Sequence, residues 1–177
     1  RGGTVLLSTS PYTAEFGAGQ LRLQKWRSGL QAWLRHHGVT IGKELVLDTR
    51  NARFPAPVLR EYGGHEFHDV EMVDYPYFID LRSPGLAADH AATGNLPQVT
   101  MAWASPITLA PDTHRQATVL LASSSESWLS AGMDIMPRVA GSDGDTPATD
   151  SDAAHKASHM LGVALQGRFD SFFAQPQ

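Results

Sequence analysis

The stretch LPQVTMAWASPITLAPDTHRQATVLLASSSESWL, residues 96–129, decides the fold expected of this chain. It reads as two buried strands, VTMAWA (99–104) and ATVLLA (117–122), joined by a polar turn. A serine-rich loop closes the second strand. An open α/β sheet presents a ligand or a nucleophile at such a strand end. Ser123, Ser124 and Ser125 are therefore the candidate ligand contacts, and Trp128, just after them, is the aromatic expected to line a cleft.

The same loop lacks the features of a catalytic serine. No G-x-S-x-G elbow surrounds it. His114 upstream and Asp134 downstream complete a serine triad by residue type alone, and a triad is defined by geometry. The plainer reading has the hydroxyls satisfying the N-terminus of a following helix, with Ser125 or Ser127 as the cap. No catalytic residue is assigned, and the chain is expected not to be an enzyme.

Working outward, TVLLS (4–8) predicts a first buried strand. Leu23, Trp26, Leu30, Trp33 and Leu34 recur at spacings of three and four, which predicts an amphipathic helix ended by Gly38. ELVLD (44–48) is the next strand. Strand, helix and strand in that order predict a βαβ unit with parallel pairing. Phe54-Pro55-Ala56-Pro57 and Gly63-Gly64 mark a surface loop. Residues 67–73 alternate apolar and polar. Tyr75-Pro76-Tyr77-Phe78-Ile79 suits an edge strand that could accept a strand from a partner. Residues 127–141 fit no single pattern. MLGVALQGRF (160–169) is a last strand. SDGDTPATDSDA (142–153) is acidic, small and polar, as a mobile loop would be.

Several histidines and acids resemble ligand sets without completing one. His65-Glu66-Phe67-His68-Asp69 is one residue short of H-E-x-x-H, and on a strand its two histidines face opposite ways. His155 and His159 have chelating i,i+4 spacing if helical, with no third ligand nearby. Asp143, Asp145, Asp150 and Asp152 lack the glycine and glutamate of a calcium loop. His36-His37 would meet the carbonyl end of a helix, where an imidazolium is favoured. Trp26 and Trp33 read as core packing and Trp103 as a strand residue. No metal and no cofactor is expected.

The chain has 177 residues, 42% of them hydrophobic and 18% charged, which suits one globular domain over residues 1–177. A net charge of −4 gives no basic footprint for nucleic acid. The absence of cysteine excludes disulfides, thiolate nucleophiles and cysteine-ligated zinc. The chain opens on Arg1-Gly2-Gly3 with neither a signal peptide nor an apolar run long enough to span a bilayer. A fragment of a longer, membrane-anchored protein is the expectation.

The order of several blocks resembles a known family. These are Gly2-Gly3 before the first strand, HHGVTIGKELVLD (36–48), the Tyr75-Pro76 step, Thr93-Gly94-Asn95-Leu96, Ala104-Ser105-Pro106-Ile107, VLLASSS (119–125) and LGVALQGRF (161–169) with Ser171 and Phe173 behind it. Their spacing is similar to that of the extracytoplasmic domain of ABC-transporter auxiliary components linked to gliding motility. The resemblance spans nearly the whole chain. It implies a class I glutamine amidotransferase-like α/β fold without the catalytic cysteine. It also implies a position outside the cytoplasmic membrane, flanked in the parent by transmembrane helices, and no established enzymatic activity.

Together these readings predict an α/β three-layer sandwich with a mostly parallel, flavodoxin-like sheet. The expected function is non-catalytic binding or scaffolding on the periplasmic side of the membrane. The expected partners are permease or ATPase subunits of an ABC transporter, or other proteins of a membrane complex. A glycan- or small-solute-binding domain is one alternative, suggested by the aromatics and small polar loops. A serine hydrolase using the loop of residues 123–125 is the other.

Overall fold

The computed structural model describes residues 3–17, 20–111, 114–139 and 155–173. Among them the architecture is antiparallel β throughout, which overturns the three-layer α/β sandwich and its parallel sheet. Eleven strands and one six-residue helix make up the regular structure. The strands form four two-stranded sheets and one three-stranded sheet.

The error begins at the expected first βαβ unit. Residues 4–8 are extended and pair with nothing in a ladder, and Val5 and Leu6 are 78% and 97% exposed. The next elements are a hairpin, β1 (Tyr12–Gly17) against β2 (Gln20–Lys25), paired from Tyr12↔Lys25 to Gly17↔Gln20. Leu21 and Leu23 point inward while Arg22 and Gln24 point out, a period of two that the helical count ignored. That count also ran through Ser28-Gly29, where Gly29 sits at φ +75° and stops any helix. What remains is α1 (Gln31–His36), closed at Gly38 in the left-handed conformation, as expected. β3 (Val39–Ile41) then leads to β4 (Leu45–Leu47), the strand expected at 44–48.

The two prolines at 55 and 57 lie inside a strand, not in a loop. β5 (Asn51–Tyr62) turns through Gly63-Gly64 into β6 (His65–Leu81). Both turn glycines have positive φ, +62° and +78°, as the tightest hairpin turn demands. β5 is the edge of the sheet β5-β6-β7, so the donors that its prolines lack need cost the ladder nothing. Pro76 sits where the register jumps, between Asn51↔Ile79 and Arg53↔Asp74. There the side-chain oxygen of Asn51 accepts from Tyr75 N at 2.8 Å and satisfies the interrupted ladder. Residues 78–81 pair with β7 (Val99–Ala102), so the 75–79 segment is central and offers no free edge.

β8 (Ile107–Leu109) pairs with β3, and β9 (Arg115–Ala122) with β11 (Met160–Gly167). β10 (Trp128–Ser130) pairs with β4. The strands expected at 99–104, 117–122 and 160–169 are thus present; the last two pair with each other, and the first with β6. Residues 142–153, expected as an acidic mobile loop, lie outside the described residues.

The core has two clusters, and β4 lies between them. Leu45 and Leu47 pack with Leu21, Leu23, Tyr75, Tyr77, Trp128 and Ile135, while Val46 packs with Ile79, Leu81, Leu86, Ala104 and Leu161. A three-residue strand can serve both because alternate side chains face opposite ways. Each such fully buried aliphatic contributes about 1.5–3 kcal/mol.

Candidate functional site

The serine loop is built into the interior. Ser123 is 4% exposed and Ser127 fully buried. His159 N donates to Ser123 Oγ at 2.8 Å, and the two hydroxyl oxygens of Ser123 and Ser127 lie 2.6 Å apart. Ser127 Oγ is also 2.6 Å from Ala157 O. Ser124 O lies 2.9 Å from the same hydroxyl, so both serine hydroxyls are held in one buried hydrogen-bonded cluster. Ser124 N and Oγ both donate to the buried carboxylate of Asp48, each at 2.7 Å, and Arg50 N donates to the same group at 2.9 Å. Trp128 is 9% exposed and belongs to the core cluster of Leu45 and Tyr75. Ser125 is exposed. Strand β10 follows, so the hydroxyls cap no helix. They fasten the β9–β10 turn to β4 and to residues 157–159.

Serine, histidine and aspartate meet here through atoms that do no triad chemistry. Ser123 meets His159 through the backbone nitrogen and carbonyl, while the imidazole Nε2 is buried without a hydrogen-bond partner. Burial lowers the pKa of His159, against a smaller opposing pull from Glu44. Asp48 holds Ser124 and not an imidazole. Asp134 accepts from Met136 N through its carboxylate and from Tyr77 OH through its carbonyl. His114 is exposed at the start of β9.

The remaining histidines are scattered. His65 and His68 are exposed on the β5–β6 hairpin, and residues 155–159 are not helical. Among the described residues no three acidic or imidazole side chains gather as a metal would need. His37 is buried at the end of α1, edge-on to Trp33 and Phe169. Its pKa is lowered, first by burial and then by His36 and Arg115. The imidazolium expected to favour the helix end is therefore disfavoured at His37, with burial as the first cause.

Two features escaped the sequence reading. The first is a cleft of about 720 Å³ between the β1–β2 hairpin and β7. Trp26, Trp103, Tyr12 and Ser105 line it. Trp103 has φ +49°, the one non-glycine residue in that region among those described. Such a conformation is unfavourable for an indole-bearing residue and persists only where neighbours fix it. They do: Trp103 N donates to Tyr77 O and its Nε1 donates to Tyr75 OH, both at 3.0 Å. Tyr75 OH donates onward to Ile135 O at 2.6 Å, and burial raises the phenol's pKa to a range where it stays a donor at any physiological pH.

The second is the outer part of the β5–β6 hairpin, an arm about 30 Å long. Cross-strand partners share a face, and the register assigns each residue to one of two faces. One face carries Arg60 between Asp69 and Glu71, each at 3.1 Å, together with Val58 and the exposed rings of Phe67 and Tyr62. The opposite face carries the pairs Pro55↔Met72, Pro57↔Val70 and Leu59↔His68. Leu59, Val70 and Met72 are 57%, 60% and 51% exposed. The result is an exposed stripe, apolar except for His68, with Glu61 and Glu66 at its outer end. The alternation that builds it was legible at 67–73, but the prolines concealed the other strand.

The chain belongs to the family described as an ABC-type uncharacterized transport system, the auxiliary-component family whose model matches residues 1–177. No curated protein and no solved structure matches it. The chain is thus an auxiliary component of such a transport system. Among the described residues, no helix is long and apolar enough to cross a membrane.

Proposed function

We propose that this chain is the non-catalytic binding domain of the auxiliary component, of the gliding-motility type, standing on the periplasmic side of the cytoplasmic membrane. It docks on a permease subunit of the transporter through the apolar face of the β5–β6 arm. The observation that carries this reading is the stripe of Pro55, Pro57, Leu59, Val70 and Met72, exposed on a hairpin that its own body does not cover. A solvated two-stranded ribbon is marginal by itself, and an apolar face on one is used when something packs on it. The prolines on the open edge disfavour strand addition, so the contact is made face-on. Burying three half-exposed aliphatic side chains there would contribute about 1 kcal/mol each.

The test is affinity capture from membranes of the source cells, with the wild-type domain and a Leu59→Lys/Val70→Lys variant. The permease should be recovered with the wild type and lost with the variant. Equal recovery with both would remove the arm from the interface. Capture of no transporter subunit by the wild type would overturn the proposal.

A further inference from the structure

We propose that the cleft between the β1–β2 hairpin and β7 binds a neutral oligosaccharide, with Trp26 and Trp103 as the apolar platform and Ser105 as the buried hydrogen-bonding group. The cleft is separate from the serine loop and from the arm, and the inference stands without the docking reading above.

Three observations converge. Ser105 is 9% exposed, and its Oγ is buried without any partner although it lines the cleft. An unsatisfied buried hydroxyl is costly and calls for a group that the protein alone does not supply. Trp26 lines the same cleft and is 56% exposed, an unusual state for an indole with no outside contact. Trp103 lines the cleft too and is held in a strained backbone conformation by two hydrogen bonds.

The lining selects the class of ligand. Hydroxyls dominate its polar groups, and Glu15 is its single charged side chain. An anion would find no cation there, and a cation only one exposed carboxylate. The hydroxyls of Ser10 and Ser28 accept from Tyr12 N and Leu30 N, which leaves their protons to donate. A pyranose matches this arrangement. Its axial C–H groups form an apolar face for an indole, and its equatorial hydroxyls both donate and accept. A volume of about 720 Å³ takes two or three such rings.

The test is a titration of the domain with neutral tetrasaccharides, chitotetraose and cellotetraose, followed by tryptophan fluorescence and calorimetry. At least one should bind saturably. Trp26→Ala should weaken it about tenfold or more. Ser105→Ala should weaken it severalfold while leaving thermal stability of the free domain equal or higher, since the unpaired hydroxyl is gone. The Leu59→Lys/Val70→Lys variant should bind the sugar as the wild type does. Absence of saturable binding up to about 5 mM by both sugars would overturn the proposal, as would equal affinity in Trp26→Ala.

Discussion

β4 and the β5–β6 arm are made of the same antiparallel ladder and reach opposite states. β4 has three residues, Leu45, Val46 and Leu47, each 1% exposed or less. The arm is the outer part of strands of 12 and 17 residues, and every residue from 59 to 70 is exposed. The arm holds many more ladder bonds, yet β4 is the centre of the molecule. Backbone hydrogen bonds replace bonds to water at small net gain, whereas apolar burial is a gain that scales with area. Strand length is therefore no guide to which element holds the fold and which is free to meet a partner.

The sharpest way to break this contrast is to cut the polar anchor at the end of β4. Asp48→Ala leaves the N–H groups of Ser124 and Arg50 and the Ser124 hydroxyl without their acceptor. It should cost about 3 kcal/mol in urea unfolding. A loss below about 1 kcal/mol would mean that the serine turn is not fastened through Asp48.

Tyr75→Phe removes both the bond to Ile135 O and the acceptor for Trp103 Nε1 while keeping the ring. About 2 kcal/mol should be lost, and the near-ultraviolet dichroism of Trp103 should change. An unaltered spectrum would sever the cleft from the core.

Acid should loosen the body before the arm. The pKa values of His37 and His159 are lowered in the folded chain, with burial as the first cause. The unfolded chain then binds more protons, so their stabilising contribution is full above about pH 6.5 and falls as pH drops through the folded values. Proton-resonance titration should put both midpoints below that of a free imidazole. Midpoints at or above it would reverse the sign.

The smallest effects belong to the arm. Leu59→Ser and Val70→Thr should each change global stability by no more than about 0.5 kcal/mol. Backbone amides at 59–62 and 65–70 should exchange with solvent far faster than those of 45–47. Slow exchange at the arm of the isolated domain would show that something already covers it.

Much of this contrast was legible residue by residue. The apolar runs at 117–122 and 160–169 became β9 and β11, and ELVLD became β4. The helix of Trp26 and Trp33 was misread because apolar spacing was counted across Ser28-Gly29, a backbone break. The hairpin was missed because prolines at 55 and 57 argue against a strand unless that strand is an edge, and edges are a property of the sheet. The internal bonds of Ser123 and Ser124 were not legible, because small hydroxyl residues serve surface and interior equally well. Their partners, Asp48 and residues 157–159, lie 76 and some 30 positions away.

By itself the sequence determined where most of the later strands lie, the turn at Gly38 and the family to which the chain belongs, because periodicity, glycine conformation and block order are local or linear. Tertiary structure alone decided that every strand among the described residues pairs antiparallel, that β4 is buried on both faces, and that Ser105, with its hydroxyl buried and unpaired, belongs to the wall of a cleft that two tryptophans also line. Pairing partners and burial depend on which distant segments come together, and no local pattern of residues encodes that choice.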